Sequence, residues 1–331
     1  MTRQQDHRPA VTAPPDRQIG FILLPGFALM SFASASEPFR AANRLAGHTL
    51  YRMRFFGEDP SGRVAASSGV EVPVEPLPRD HDGLYAVFVC AGGEPKTWNR
   101  PAVQATLRRL ARRGTRIGGI SGGPYVIAAA GLLTDRDFTI HWEHAGALRE
   151  AFPDLVPKSA RFVIAGDRMT CGGGVAPIDM MLAVITEDRG REFALLVSDW
   201  FLHTAAVAPE DPQRASPAER YGIHHPVLLA ILQTMERTLD APMDRREMAA
   251  LGGLSERHLD RLFRDKMGIS FSEHYRNLRL DHAQRLLRQS TMSMGRIAMA
   301  SGFSGAGQFS RSYRARFGHT PSNERKMPDT Q

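Results

Sequence analysis

Two cysteines, Cys90 and Cys171, occur in 331 residues. That is too few for a disulfide scaffold or a four-cysteine zinc site, and it suits a reducing compartment. Long apolar runs are missing as well. The longest candidate is the ten-residue PYVIAAAGLL, well short of the roughly 18 to 20 residues a membrane-spanning helix requires, so an integral membrane protein is excluded. The opening MTRQQDHRPAVTAPPDR has three prolines, three arginines and no apolar core. It reads as a disordered tail over residues 1–17 and not as a secretory signal, and a cytoplasmic location is expected. Hydrophobic residues at 42% and aromatics at 8% are nonetheless enough for folded domains, and the length predicts two.

Charge is unevenly placed. Residues 223–331 hold 17 Lys plus Arg and 11 Asp plus Glu, whereas residues 1–222 hold 25 and 24. A basic domain joined to a nearly neutral one points to a polyanion as the partner of the first. Between them, AAVAPEDPQRASPAERYG (205–222) has three prolines and no apolar helical period. It reads as the linker. The expected organisation is a first domain at 18–203, a linker at 204–222, a second domain at 223–326 and a short tail at 327–331.

QIGFILL (18–24), YAVFVC (85–90) and RIGGI (116–120) are short apolar runs, each followed by Gly or Pro and then a helical pattern. Buried parallel strands have this form. Val103, Leu107, Leu110 and Ala111 make the buried stripe of an intervening helix, and Arg108, Arg109, Arg112 and Arg113 take its other face. RFVIAGDRMTCGG (161–173) adds two strand-like runs around a Gly-Asp turn, and FTIHW ends a further expected strand. The pattern predicts a doubly wound α/β sandwich with its functional site at the carboxyl ends of the strands.

Gly119-Ile120-Ser121-Gly122-Gly123 stands between a strand and a helix, the context of a nucleophile elbow. A hydrolase would need an acid and then a histidine downstream, yet His141 follows after 20 residues with no clear acid between. Five ordered blocks carry a different resemblance: LPGFALMSFASASEPFRAANRLAG (24–47), VCAGGEP (89–95), GGISGGPYVIAAAGLL (118–133), TIHWEHAGAL (139–148) and RMTCGGGVAPIDMML (168–182). Together they resemble the class I glutamine amidotransferase-like superfamily, in the PfpI-type form found in GlxA-type transcription regulators. That resemblance implies a flavodoxin-like fold. It also implies a cysteine at the elbow, a glutamate after the first strand and usually a histidine beside the cysteine. Here Ser121 takes the elbow, Glu37 the glutamate position, and Gly122 stands where many of the enzymes have histidine.

A serine needs a placed base to become nucleophilic, and nothing adjacent supplies one. The expectation is a pocket without covalent chemistry, and so not an enzyme, in which Ser121 faces a ligand or merely fits the turn. Glu37 either pairs with a pocket group or begins the solvent face of a helix. His141 and Trp142 are candidate ligand contacts, His141 alternatively a structural residue. Phe27, Tyr125 and Trp142 lie in or beside strand-end loops, where an aromatic face can hold a cation or pack in the core. Cys90 and Cys171, flanked by apolar and glycine residues, read as buried inert thiols. No cofactor and no metal site is expected.

From residue 226 the apolar period becomes helical: Leu228, Ile231, Leu232, Met235 and Leu239. Asp244-Arg-Arg-Glu247 reads as a capping box, and Ser255 caps the next helix. In that helix Leu259, Leu262 and Phe263 form the buried stripe while Arg257, Arg261 and Arg264 share another face. Helix, glycine turn, basic helix is the grammar of a helix-turn-helix. The unit repeats: AALGGLSERHL (249–259) returns as AMASGFSGAGQF (298–309), and LFRDKMGISFS (262–272) as SYRARFGHTPS (312–322). Two such units joined by SEHYRNLRLDHAQRLLRQ resemble the AraC-family DNA-binding domain over about residues 224–325.

That resemblance places base reading at Arg257, Asp260 and Arg261, with Arg264 on phosphate. In the second unit Gly305-Ala306-Gly307 departs from the family's longer polar residues and leaves Gln308, Ser310 and Arg311 as candidate readers. The whole reads as an α/β sensor domain ahead of an all-α domain with two helix-turn-helix units, a transcription regulator and activator that binds promoter DNA. The sensor motifs look closest to regulators of quaternary amine and amino-acid catabolism, such as those responding to glycine betaine or carnitine. A small-molecule effector of that class, RNA polymerase and a second copy of the chain are the expected partners, with no membrane. The alternatives are a hydrolase or amidase using Ser121 fused to a DNA-binding domain, and a ligand-free dimerisation module.

Overall fold

The computed structural model describes residues 16–79, 83–204 and 208–327. Most of the two expected tails, at 1–15 and 328–331, and linker residues 205–207 lie outside the described residues. In chain order β1 (Arg17–Leu23) leads into α1 (Leu29–Ala46), β2 (Tyr51–Gly57), a ribbon of β3 (Arg63–Ala65) and β4 (Glu71–Pro73), then β5 (Glu75–Pro76) and β6 (Leu84–Ala91). α2 (Pro101–Arg112), β7 (Arg116–Ser121), α3 (Gly123–Ala129) and α4 (Ala145–Ala151) follow. A hairpin of β8 (Phe162–Ala165) and β9 (Arg168–Cys171) precedes α5 (Ala176–Arg189) and α6 (Arg191–Trp200).

Seven strands form one sheet in the order β5-β2-β1-β6-β7-β9-β8, parallel throughout except for the β8–β9 pair. Successive side chains of a strand point to opposite faces, so a strand covered on both sides must be apolar at every position. Ile19, Phe21 and Phe88 pack against Phe32 and Phe39 of α1 and Met180 and Val184 of α5. Ile22, Val87 and Val89 pack on the other face against Val103, Leu107 and Leu110 of α2 and Val126 and Ile127 of α3. This is the doubly wound sandwich, and it puts the loops after β1, β6 and β7 together at one edge.

One expected strand is absent. Phe138–Trp142 runs as irregular chain: the Thr139 amide donates to Thr170 Oγ1 (2.9 Å) and the His141 amide to the Ser121 carbonyl (3.2 Å). Both edges of β7 are already paired, by β6 and β9, so no ladder is open to this segment. The linker differs too. Ser216 and Glu219 form a capping box that starts α7 (Pro217–Tyr221), and Gln213 is sewn into the first domain. Its Oε1 accepts from the Trp142 amide (2.8 Å), and its Nε2 lies 2.7 Å from the Ala160 carbonyl and 2.9 Å from that of Ile140.

The second domain comprises α8 (Pro226–Arg237), α9 (Arg245–Leu251), α10 (Glu256–Met267), α11 (Phe271–Gln289), α12 (Met294–Ala300), α13 (Ala306–Phe317) and α14 (Pro321–Glu324). The Asp244–Glu247 capping box and the Ser255 cap both form. α9–α10 and α12–α13 are the two helix-turn-helix units. Each turn holds a left-handed glycine, Gly253 and Gly302, and a Cβ at Gly302 would stand 2.5 Å from Pro242. Each unit has its own core. α11 serves both, giving Phe271 and Tyr275 to the first and Leu280, Ala283 and Leu287 to the second.

Gln213 makes its bonds in a half-buried cleft, where the Ala160 carbonyl also accepts from the Thr139 hydroxyl (2.9 Å). Gln213→Ala should therefore cost about 1 to 3 kcal/mol of stability and expose the linker to limited proteolysis. Calorimetry and a timed protease digest measure both, and unchanged melting with unchanged cleavage would show the anchor to be inconsequential.

Candidate effector pocket and nucleic-acid interface

Ser121 ends β7 with φ +59°, in the left-handed region, as do only Asp135 and Leu202 among the described non-glycine residues. That conformation costs roughly 1 to 2 kcal/mol for a residue with a Cβ. The surroundings impose it: a Cβ at Gly119 would lie 2.6 Å from the Pro124 nitrogen, and one at Gly123 2.0 Å from the Val89 carbonyl oxygen. Strand and helix meet too closely for anything but glycine on either side. The serine thus has an elbow's geometry. A Cβ at Gly122 would fall 2.3 Å from the ring of Trp98, which is fully buried with its Nε1 donating to the Gly92 carbonyl (2.9 Å). Tryptophan occupies the space a neighbouring histidine would need.

Around Ser121 opens a cavity of about 440 Å³, lined among others by Ser31, Glu94, His141, Glu143, His144 and Arg288. Ser121 and His141 are brought together as expected; Glu37 and Trp142 are not among the lining residues. Glu37 sits on the outer side of α1, its side chain 42% exposed and paired with Arg40 (2.6 Å). The α1 residue that reaches the elbow is Ser31. Its Oγ accepts from the Gly174 amide (2.8 Å), and a Cβ at Gly173 would touch Ser31 and Ser121 alike. Six residues is about one and two-thirds turns of helix, which carries Glu37 away from that face. Trp142 lies at the junction of the domains, its ring 4.5 Å from the guanidinium of Arg214 and 5.9 Å from that of Arg285. Phe27 is core, and Tyr125 packs edge-on against Trp98 and Phe152.

On the second domain Arg257, Arg261 and Arg264 are exposed along α10. Asp260, half-buried, pairs with Arg245 of α9 (2.9 Å), which also holds Glu256 (2.7 Å). On α13 Gln308 and Arg311 are exposed and Ser310 half-buried. Gln308 Oε1 accepts from the Ser304 hydroxyl (2.8 Å), a contact at the helix start where Gly305 offers no side-chain cap.

The cavity's imidazoles are neutral. Burial lowers the His141 pKa against the opposing pull of Glu143, and burial, with His141 second, takes His144 down to about 3. His144 Nδ1 is buried with no hydrogen bond among the described residues. Donor atoms of His141, Glu143 and His144 lie within 4.8 Å of one another. Arg288, a cation, lines the same space. Both thiols are buried and free; burial raises Cys90 and takes Cys171 to about 12, so neither is a ready nucleophile.

An unfolded histidine takes up its proton near pH 6.5, well before His144 does in the folded chain. Its stability contribution is complete above that pH and is lost as pH falls toward 3, at about 1.4 kcal/mol per pH unit. Denaturant titrations at pH 7.5 and 5.5 should show a smaller acid loss in His144→Gln than in wild type. Equal losses would contradict the assignment.

Residues 17–187 match the DJ-1/PfpI family, and residues 248–327 match a helix-turn-helix domain. The chain is 54% identical over 311 residues to the HTH-type transcriptional regulator GlxA of Rhizobium meliloti (strain 1021), covering 94% of this chain and 96% of that one. It is 41% identical to the HTH-type transcriptional regulator CdhR of Pseudomonas aeruginosa, over 93% of this chain and 91% of that one. The crystal structure of an AraC family transcriptional regulator from Pseudomonas putida is similar at a TM-score of 0.52 and 26% identity, covering 56% of this chain and 99% of that one. A THiJ/PfpI family protein from Pseudomonas syringae shares the fold at a TM-score of 0.52 and 21% identity, over 76% of this chain and 98% of that one. With two helix-turn-helix units behind a doubly wound α/β domain, the chain belongs to the GlxA-type, AraC-family transcriptional regulators, a DJ-1/PfpI domain ahead of a helix-turn-helix domain.

Proposed function

We propose that the elbow cavity binds a small zwitterionic metabolite, an amino acid or a quaternary amine, and that the chain activates genes of amine or amino-acid catabolism in response. The observation that carries this reading is the cavity's paired chemistry. The Glu143 carboxylate and the Arg288 guanidinium supply opposite charges, the Ser31 and Ser121 hydroxyls share the lining, and Glu94, also in the lining, is paired with Lys96. Glu143 is half-buried and forms no ion pair among the described residues, which favours a cationic ligand group. Ser121 and His141 are the proposed effector contacts. Glu37 and Trp142 are not carried into the site.

The effector acts in this reading as a ligand and not as a substrate. Ser121 Oγ has no basic side chain in hydrogen-bond reach among the described residues, Trp98 closes position 122, and the neutral His141 is held through backbone contacts. The purified protein should show no esterase, amidase or glyoxalase turnover that disappears in Ser121→Ala. Turnover that did disappear, in a variant melting like wild type, would make the domain an enzyme. Dimerisation on the promoter is supported by Leu195, Leu196, Trp200 and Leu202, large apolar side chains exposed on and just after α6. RNA polymerase is the further partner an activator requires.

On DNA, Arg257 and Arg261 are the proposed base readers of the first unit and Arg264 a phosphate contact. Asp260, held by Arg245, sets the face they present. Gln308, Ser310 and Arg311 read more weakly, because Gln308 is engaged at its own helix start. Arg257→Ala and Arg261→Ala should each weaken specific promoter binding by roughly 1 to 3 kcal/mol with the fold unchanged. Arg311→Ala should cost less. Anisotropy titrations with specific and scrambled duplexes measure this, and wild-type discrimination in both first-unit variants would remove the assignment.

A further inference from the structure

The elbow cavity is not closed by the first domain alone. Arg288 and Gln289, from the last turn of α11, line it together with Ser31, Ser121 and His141. Arg288 is the one cation among the described residues lining it, and it belongs to the DNA-binding domain. It faces two ways. Its Nε (2.7 Å) and a terminal nitrogen (2.6 Å) both meet Glu324 Oε1, yet half of its side chain remains exposed.

Glu324 is the hub of a buried network. Its side chain is fully covered, and its Oε2 accepts from the Tyr313 hydroxyl (2.6 Å), from His319 (2.5 Å) and from Gln284 (3.2 Å). Burial alone would raise its pKa, but these donors and Arg288 outweigh burial and hold it at about 2. A buried carboxylate stays ionised only while donors converge on it, so weakening one is felt by the rest. Tyr313 lies on α13, the second unit's recognition helix, with its ring fully buried in that unit's core.

We propose that a carboxylate on the effector is received by Arg288, so that the ligand bridges the sensor domain and the second helix-turn-helix unit, and that Glu324 and Tyr313 carry its occupancy to α13. This rests on reading the cavity as the effector site. A guanidinium presents five N–H donors, and those not spent on Glu324 suit a second carboxylate. An anion there competes with Glu324 for the same charge, which loosens the acceptor that Tyr313 and His319 share. The ligand then has different contacts in the two arrangements of α13, the condition for an equilibrium to shift. By linkage, promoter DNA changes ligand affinity by the same factor as ligand changes DNA affinity.

The test uses the full chain and four probes: glycine betaine, carnitine and L-arginine, which carry a carboxylate, and choline, which has the trimethylammonium group of betaine and a hydroxyl in place of the carboxylate. Calorimetry on wild type should show at least one carboxylate probe binding about tenfold or more tighter than choline, and Arg288→Gln should bring the two within about threefold. Glu324→Gln, which frees the Arg288 guanidinium, should bind the carboxylate probes at least as tightly as wild type while losing the probe-dependent change in affinity for a promoter duplex. Should Arg288→Gln fail to fold, Arg288→Gln combined with Glu324→Gln removes both charges together and gives the same comparison. Wild-type probe affinity in Arg288→Gln, or choline binding as tightly as betaine, overturns the bridge and leaves the cavity reading standing. Full coupling in Glu324→Gln overturns the relay. Binding of none of the four probes by wild type overturns the cavity reading and the bridge with it.

Discussion

A single helix has to satisfy three surfaces at once. α11 runs 19 residues, giving aromatic side chains to the first helix-turn-helix core, aliphatic ones to the second, and its last turn to the cavity beside Ser121. Its sequence has little freedom left. Arg279 in mid-helix donates to the carbonyls of Ser301 (2.8 Å) and Gly302 (2.5 Å) and covers Phe303, so the turn of the second unit hangs from this helix. Both DNA-reading helices are positioned through one rigid element, the arrangement that lets two recognition helices address successive turns of a duplex.

The first domain keeps the backbone architecture of a nucleophile elbow. The sheet order, the close glycine approaches and the strained backbone at Ser121 are all features of an elbow, and each has a steric cause in the neighbouring residues. What is missing is equally physical. Trp98 fills the position beside the elbow, Ser31 and not an acid reaches it from α1, and the two nearby histidines are neutral. The left-handed backbone at Ser121 holds its hydroxyl in the lining of the cavity. Among the described lining residues, the covering domain supplies the one cation, Arg288.

The parts legible in the sequence were those with a strong local signal. The apolar runs of β1, β6 and β7 announced a doubly buried sheet, and the offset repeat with its glycines and caps announced two helix-turn-helix units down to the Asp244 and Ser255 caps. β2 was not read, since Arg52 and Arg54 interrupt its apolar residues. FTIHW has a strand's composition, while only the tertiary arrangement reveals that β7, whose Ser121 carbonyl it meets, is already paired on both edges. The proline-rich linker hid the anchoring of Gln213, whose partners are more than 50 residues away in sequence. Glu37 takes the glutamate position that the resemblance implies, whereas helix phase brings Ser31 to the elbow. Glu143 and His144 lay inside a motif already singled out, but Arg288 had no signal: its role depends on contact between domains, and periodicity within a domain does not encode that.

In the proposed mode of binding, one chain presents two recognition helices, fixed on one helix, to one face of a promoter. Hydroxyl-radical footprinting of the full chain on the duplex it binds tests this most directly. The predicted pattern is two protected patches on the same face, about one helical turn or 10 to 10.5 base pairs apart, within each half-site. A single patch per half-site, or two patches on opposite faces, would contradict it.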